Sequence, residues 1–256
     1  MSTITTGSTL SVRGLVKRFG GLLVTDHFNL DVRPGELHAV IGPNGAGKTT
    51  LINQLSGELK PHSGSILLDG RELVGESVQQ RARRGISRSY QITSVFHEFT
   101  ALENVMLAVQ GASGRNFSFW RPVLDDVGLI EPAKDLLQQV GLGASVKTPV
   151  SAMAHGARRQ LELAMTMALQ PKVMLLDEPM AGMSHHESED MVRLLQKLKG
   201  RYGIVLVEHD MDAVFALADR ITVMVYGKVI ACGTSEQIRN DPEVRTAYLG
   251  DQVEAV

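Results

Sequence analysis

An unbroken run, Gly42-Pro43-Asn44-Gly45-Ala46-Gly47-Lys48-Thr49-Thr50, has the residue types and spacing to hold a phosphate. It matches G-x-x-x-x-G-K-[ST], where glycines let successive backbone N–H groups turn inward around an anion. A helix beginning near Lys48 adds its unpaired N–H groups and the positive end of its dipole. Lys48 is suited to bridge the outer phosphates of ATP, and Thr49 to offer a hydroxyl to Mg²⁺. A second group is Val173-Met174-Leu175-Leu176-Asp177-Glu178-Pro179, an apolar run that delivers two adjacent carboxylates. Asp177 is placed to hold Mg²⁺, directly or through water, and Glu178, which points elsewhere, to polarise an attacking water. Val205-Leu206-Val207-Glu208-His209-Asp210 repeats the arrangement. There His209 can hydrogen-bond a terminal phosphate and steady the same water. The chemistry these groups suggest is phosphoryl transfer from a nucleotide to water.

These groups need strands and helices to position them. Residues 37–41 are a short apolar run after the turn Arg33-Pro34-Gly35-Glu36, which predicts a strand feeding the glycine loop. Residues 51–55 have helical spacing and are closed by Gly57. Alternation predicts half-buried strands over 10–19 and 27–32, and further strands over 64–69 and 86–90, the last ending at Gln91. Residues 77–84 read as a basic helix. The texture then becomes helical over 101–110 and 132–140, around a loop-like 111–122 that carries Phe117, Phe119 and Trp120. A helix over 156–170, a strand over 172–176 and an amphipathic helix over 184–199 follow. Strand, helix, strand, strand then run over 204–207, 211–218, 221–225 and 228–231, with a helical tail over 236–249. Strands alternating with helices imply an α/β fold whose mostly parallel sheet is covered on both faces. The expected division is a core of residues 1–91 and 159–235, an inserted helical subdomain at 92–158 and a C-terminal helical tail at 236–256.

Composition narrows the function classes. The 256 residues are 43% hydrophobic and 21% charged, ordinary for a globular chain, and the formal net charge of −2 offers no whole-chain case for nucleic acid. Cys232 is the single cysteine, so an internal disulfide is impossible. The Ser/Thr-rich start lacks the apolar stretch of a signal peptide, and no run reaches the roughly 18 apolar residues of a membrane span. The expected location is therefore the cytoplasm, with a membrane partner left open.

Together these motifs resemble the ATP-binding subunits of ABC transporters, over about residues 10–250. In that resemblance Gly42 to Thr50 is the Walker A loop, 175–178 the Walker B strand with the catalytic glutamate, and His209 the switch histidine. Gln91 matches the Q-loop glutamine, which contributes to the metal site with Thr49 and Asp177, and Phe19 the aromatic that stacks on adenine. The implied fold is a P-loop NTPase core with a mostly parallel sheet, N-terminal antiparallel strands and an inserted α-helical subdomain. The finer texture resembles branched-chain amino-acid importer subunits, on Arg18-Phe19-Gly20-Gly21, the insert after Val109, Ala181-Gly182-Met183 in the D-loop and Val207-Glu208-His209-Asp210-Met211. Urea-importer and lipopolysaccharide-exporter ATPases share these features. The resemblance implies ATP and Mg²⁺ as cofactors, and a second ABC ATPase subunit, the same or different, closing around two nucleotides. It also implies transmembrane permease subunits, an indirect solute-binding protein, no nucleic acid, and a place on the cytoplasmic face of the membrane.

Two rival classes and several smaller features fit the sequence less well. A soluble ABC ATPase of DNA repair or translation needs a second cassette, a long coiled-coil insert or a basic surface, and none is visible. A nucleotide-binding regulator that does not hydrolyse ATP is encouraged only by Ala154 and Ala157. His185-His186-Glu187 reads as a solvated helix start after Ser184 rather than a metal site. Arg81, Arg83, Arg84 and Arg88 read as a solvated basic face. Phe117, Phe119 and Trp120 read as local packing, and Met165 and Met167 as core filler.

One motif departs from the family pattern. Where relatives read Leu-Ser-Gly-Gly-Gln or Leu-Ser-His-Gly-Glu, this chain has Met153-Ala154-His155-Gly156-Ala157. In the family the serine hydroxyl of one subunit touches the γ-phosphate held by the other; Ala154 has none, which leaves the backbone at His155 and Gly156 and the helix N-terminus behind them. A hydrogen bond to a charged group is worth about 1.5–3 kcal/mol, roughly 10- to 100-fold in rate when all of it appears in the transition state. The expectation is a pair with a different ATPase subunit and two unequal sites. Ala154→Ser is expected to raise turnover of the assembled transporter toward that range; unchanged turnover in an ATPase assay would show that the missing hydroxyl does not matter.

Overall fold

A computed structural model of the chain describes residues 9–89, 95–113 and 126–246. Strands β1 (Leu10–Phe19) and β2 (Leu22–Val32) pair antiparallel. β2 begins earlier than the alternation over 27–32 predicts. The Gly20-Gly21 turn lets Leu22 pair with Phe19 and Leu23 with Arg18, so ladder hydrogen bonds extend the strand through the polar Thr25 and Asp26. Then come β3 (Leu37–Ile41), α1 (Lys48–Ser56), β4 (Ser63–Leu68), β5 (Arg71–Glu72), α2 (Val78–Arg84) and β6 (Ile86–Arg88). Helices α3 (Ala101–Ser113), α4 (Val127–Gln139) and α5 (His155–Ala168) follow, with two short 3₁₀ turns before α5. The chain continues through β7 (Val173–Asp177), α6 (His185–Leu198), β8 (Gly203–Val207), α7 (Met211–Leu217), β9 (Arg220–Val225), β10 (Lys228–Gly233), α8 (Ser235–Asn240) and α9 (Pro242–Val244).

Two sheets result, ordered β2-β1-β4-β5 and β10-β9-β3-β8-β7-β6. The first is antiparallel; in the second only the β9–β10 pair is antiparallel and the other pairings are parallel. β3, β7 and β8 are buried at every residue because both faces of the parallel sheet are covered. One face packs Val40, Leu175 and Val205 on Leu51, Ile52 and Leu55 of α1, with Leu10, Phe28 and Leu30 of the antiparallel sheet beyond. The other packs Met174, Leu176, Ile204 and Leu206 against Leu161, Met167, Leu194 and Leu195 of α5 and α6, in one cluster with Val105 and Leu137 of α3 and α4. Each such side chain is worth about 1.5–3 kcal/mol of burial, so α1 is clamped between two layers. Among the described residues no helix is long and apolar enough to cross a membrane.

Two expectations change. The helix expected from Pro132 begins at Val127, where Asp126 caps it by accepting from Gly128 N–H. The buried stripe Leu129, Ala133, Leu137 carries the helix through Pro132, which removes one intrahelical donor and crowds the carbonyl one turn earlier. The solvated basic face fails at two of its arginines. Arg81 is 1% exposed, and its Nη1 donates to Gln54 O at 2.7 Å and Leu55 O at 2.8 Å, the free carbonyls ending α1. Arg88 is turned toward Asp177 and Glu58. Arg83 is exposed, and Arg84 pairs with Glu76 at 2.7 Å. Helix periodicity cannot show that carbonyls of another helix wait behind a basic face. Removing Arg81 strands those carbonyls, a loss of about 3 kcal/mol. Arg81→Ala should therefore lower the melting temperature by roughly 6–12 °C in a thermal melt, while Arg83→Ala leaves it unchanged.

Candidate nucleotide site

The glycine loop is wedged between two strands. A Cβ on Gly42 would lie 2.0 Å from Met224 O on β9, and one on Gly47 would lie 2.3 Å from Val24 O on β2. Gly47 also holds φ +105° as the residue before α1, a conformation L side chains rarely adopt. Gly227 N–H donates to Ala46 O at 3.0 Å, so the β9–β10 turn braces the loop from outside. Lys48 is 6% exposed, and its Nζ donates to Gly42 O at 2.7 Å and Pro43 O at 3.0 Å. Burial lowers the Lys48 pKa, opposed by the carboxylates of Glu178 and Asp177. Thr49 and Asn44 are exposed at the loop, and no side chain caps the N-terminus of α1.

The carboxylates arrive on neighbouring strands. β7 and β8 are parallel and in register, with Asp177 opposite Val207, and β3 lies on the other side of β8. The carboxyl ends of three adjacent strands therefore present the loop, Glu208-His209 and Asp177-Glu178 along one edge, where open α/β sheets bind ligands. Asp177 is 2% exposed; burial pushes its pKa up and Arg88 pulls it back. Arg88 Nη2 donates to Asp177 Oδ2 at 3.2 Å, and its Nη1 reaches Asn53 Oδ1 at 2.5 Å and Glu58 Oε2 at 2.7 Å. Asp177 Oδ1 is buried without a hydrogen-bond partner. A buried carboxylate oxygen left open and, at the start of α1, an exposed threonine hydroxyl are oxygen ligands of the kind Mg²⁺ takes, while the Lys48 ammonium, within electrostatic reach of Asp177, suits the nucleotide phosphate.

Glu178 stands at φ +50°, a strained conformation for a non-glycine residue. Its N–H donates to Val207 O at 2.8 Å, and its Oε1 lies 2.8 Å from His209 Nε2. The strain aims the carboxylate at the histidine of the next strand. Sequence reasoning missed the group that holds both turns. Glu208, 4% exposed, accepts from Met180 N–H at 2.9 Å through Oε1 and from His209 N–H at 3.0 Å through Oε2. Burial raises its pKa, and those backbone donors oppose the rise. The available signal was an acidic residue ending each of two neighbouring strands.

Other expected site residues lie elsewhere. Phe19 ends β1, 49% exposed, with Lys17 Nζ 5.4 Å from its ring centre. Ala154 precedes α5 and makes no side-chain cap. His155 Nε2 is 3.1 Å from Ala181 O, and Gly156 N–H donates to Glu187 Oε1 at 3.0 Å. The structure thus brings Lys48, Asp177, Glu178 and His209 to one sheet edge and sets residues 154–156 against residues 181–187. Gln91, and Phe117, Phe119 and Trp120, lie outside the described residues. Ser184 starts α6 with a capping box through Glu187, and the His185 and His186 side chains are 92% and 80% exposed.

A family model described as ABC transporter matches residues 25–181, which span the glycine loop and Asp177-Glu178. The chain belongs to the ABC transporter family. It is an ATP-binding protein and an ABC-type ATPase. A second model, described as branched-chain amino acid ATP-binding cassette transporter, matches residues 228–254. The high-affinity branched-chain amino acid transport ATP-binding protein LivG of Escherichia coli (strain K12) is 41% identical over 252 residues, covering 94% of this chain and 98% of that protein. BraF of Pseudomonas aeruginosa, described in the same words, is 39% identical over 249 residues, at 94% and 98% coverage. Among solved structures, the ADP conformation of MJ1267, an ATP-binding cassette of an ABC transporter, superposes with a TM-score of 0.84 at 26% identity, covering 96% of this chain and all of that one. A nucleotide-free cassette from an ABC transporter gives a TM-score of 0.83 at 26% identity, covering 94% and 98%. Among the described residues, Lys48 Nζ bonds only to the loop carbonyls of Gly42 and Pro43 in this ABC ATPase. Lys48→Ala should therefore keep the fold by circular dichroism and lower ATP affinity at least about tenfold, the weight of one charge-assisted contact; calorimetric titration measures it.

Proposed function

We propose that this chain is the ATP-hydrolysing subunit of an importer for branched-chain amino acids or a similar small amphipathic solute. The observation that carries the hydrolytic part is the 2.8 Å contact between Glu178 and His209 on the sheet edge that bears the glycine loop. The solute class rests on the branched-chain model at residues 228–254 and on the names of the LivG and BraF relatives. In this reading the amides from Gly42 to Thr50 and the Lys48 ammonium bind the phosphates, and Phe19 stacks on the base. Thr49, Asp177 and Gln91 would hold Mg²⁺, which would supply neutralising charge to the phosphate oxygens. Glu178 accepts a proton from the attacking water, and His209 orients that carboxylate. The backbone at Ala154, His155 and Gly156 faces the nucleotide of a second, different ATPase subunit.

The division into a core, a helical subdomain at 92–158 and a tail at 236–256 belongs to the same proposal. Movement of the subdomain near Gln91 would reach transmembrane permease subunits on the cytoplasmic face of the membrane, supplied by an external solute-binding protein. The test is reconstitution with the membrane subunits in vesicles, following phosphate release and leucine uptake together. Glu178→Gln is expected to bind ATP normally and release phosphate at least about 100-fold more slowly. Wild-type phosphate release from that variant removes Glu178 from the role. ATP-driven uptake of urea but not leucine, isoleucine or valine reassigns the solute.

A further inference from the structure

Helix α5 begins without a cap of its own. Ala154 sits at the N-cap in extended backbone (φ −61°, ψ 160°) and has no side-chain oxygen to offer the first-turn N–H groups. The next residues are tied to another segment. Gly156 N–H donates to Glu187 Oε1 at 3.0 Å, and His155 Nε2 is 3.1 Å from Ala181 O. The other oxygen of the same carboxylate, Glu187 Oε2, accepts from Ser184 N–H at 2.9 Å and Ser184 Oγ–H at 2.7 Å, closing the capping box of α6. One carboxylate therefore caps two helices at once. The fit is close enough to require glycine, since a Cβ on Gly156 would lie 2.6 Å from Glu187 Oε1.

We propose that Glu187 is a positioning residue for the Ala154–Gly156 turn, supplying from α6 the cap that Ala154 cannot supply and locking that turn to residues 181–187. The inference rests on the reading above for what the turn faces, and it deepens that reading. The Ser184 backbone and hydroxyl, then the Gly156 N–H, hold the Glu187 pKa below the usual carboxylate range. The cap is therefore ionised at neutral pH, where its charge also suits the positive end of α5. A serine at position 154 would accept from the second or third amide of the helix, Gly156 or Ala157, and make Glu187 redundant for α5 but not for α6.

Amide hydrogen exchange on the full chain without nucleotide tests the cap itself. Glu187→Ala should speed exchange at Gly156 about fivefold, the size a lost helix cap carries, and Ala154→Ser in the same chain should restore protection. In the assembled transporter Glu187→Ala should lower turnover about fivefold, but less than about twofold when Ala154→Ser is present, as coupled sites require. The affinity of this chain's own glycine loop for Mg-ATP should not move in either variant. Unchanged exchange at Gly156 overturns the cap. An equal loss of turnover in both backgrounds overturns the positioning role, because damage to α6 alone is blind to residue 154. Failure of the wild-type chain to bind Mg-ATP overturns the nucleotide reading instead, and the exchange result still decides the cap.

Discussion

Three fully buried parallel strands, β3, β8 and β7, govern the architecture of this protein. With helices or a second sheet over both faces, a polar group along their length needs a partner, as His38 of β3 finds in Thr222 at 2.8 Å, and the carboxylates of the site stand where strands end. Parallel register then does the positioning. Asp177 falls opposite Val207; Glu178, the residue after Asp177, and His209, two residues past Val207, then meet at 2.8 Å. β3, on the far side of β8, delivers the glycine loop to the same edge. The hydrophobic packing that closes the sheet is thus also what assembles the site.

Buried charge is the second constraint, and three buried charged side chains answer it by joining segments distant in the chain. Arg88 joins Asp177 to Glu58 and Asn53, so the strand carrying the carboxylates is tied to the helix that follows the glycine loop. Glu208 gathers the N–H groups of Met180 and His209 and holds two turns with one side chain. Arg81 closes the end of α1. Each is a polar group whose removal leaves partners stranded in a dry interior, which costs more than the bond itself contributes. Among the described residues three buried carboxylate oxygens lack a hydrogen-bond partner, Glu36 Oε1, Glu162 Oε1 and Asp177 Oδ1, and of these Asp177 Oδ1 belongs to the sheet edge that bears the glycine loop.

Local patterns made much of the fold legible. The apolar runs of β3, β7 and β8 differ from amphipathic helices in length and β-branched content, and the glycine loop lies between the first of them and α1. The helical texture of α3, α5 and α6 was equally plain, whereas the starts of β2 and α4 were not. β2 is extended by its partner strand, and α4 is carried through Pro132 by a stripe that packs on α3 and α5. The candidate site was half legible. Lys48, Asp177, Glu178 and His209 stand in runs whose spacing announces them, but Arg88, Glu208 and Glu187 act through partners far away in sequence.

By itself the sequence determined the local events: a phosphate-binding loop between a strand and a helix, two strands that end in acid, and an Ala154 that has no hydroxyl. These follow from backbone freedom, hydrophobic period and side-chain chemistry, all of which act over a few residues. Only the tertiary structure decided which charges are buried and whom they serve. It turned Arg81 and Arg88 inward, set Glu208 under His209, and brought the Glu187 carboxylate to the uncapped start of α5. Those pairings depend on strand order and helix docking, which bring together groups too far apart in the chain for any sequence period to relate them.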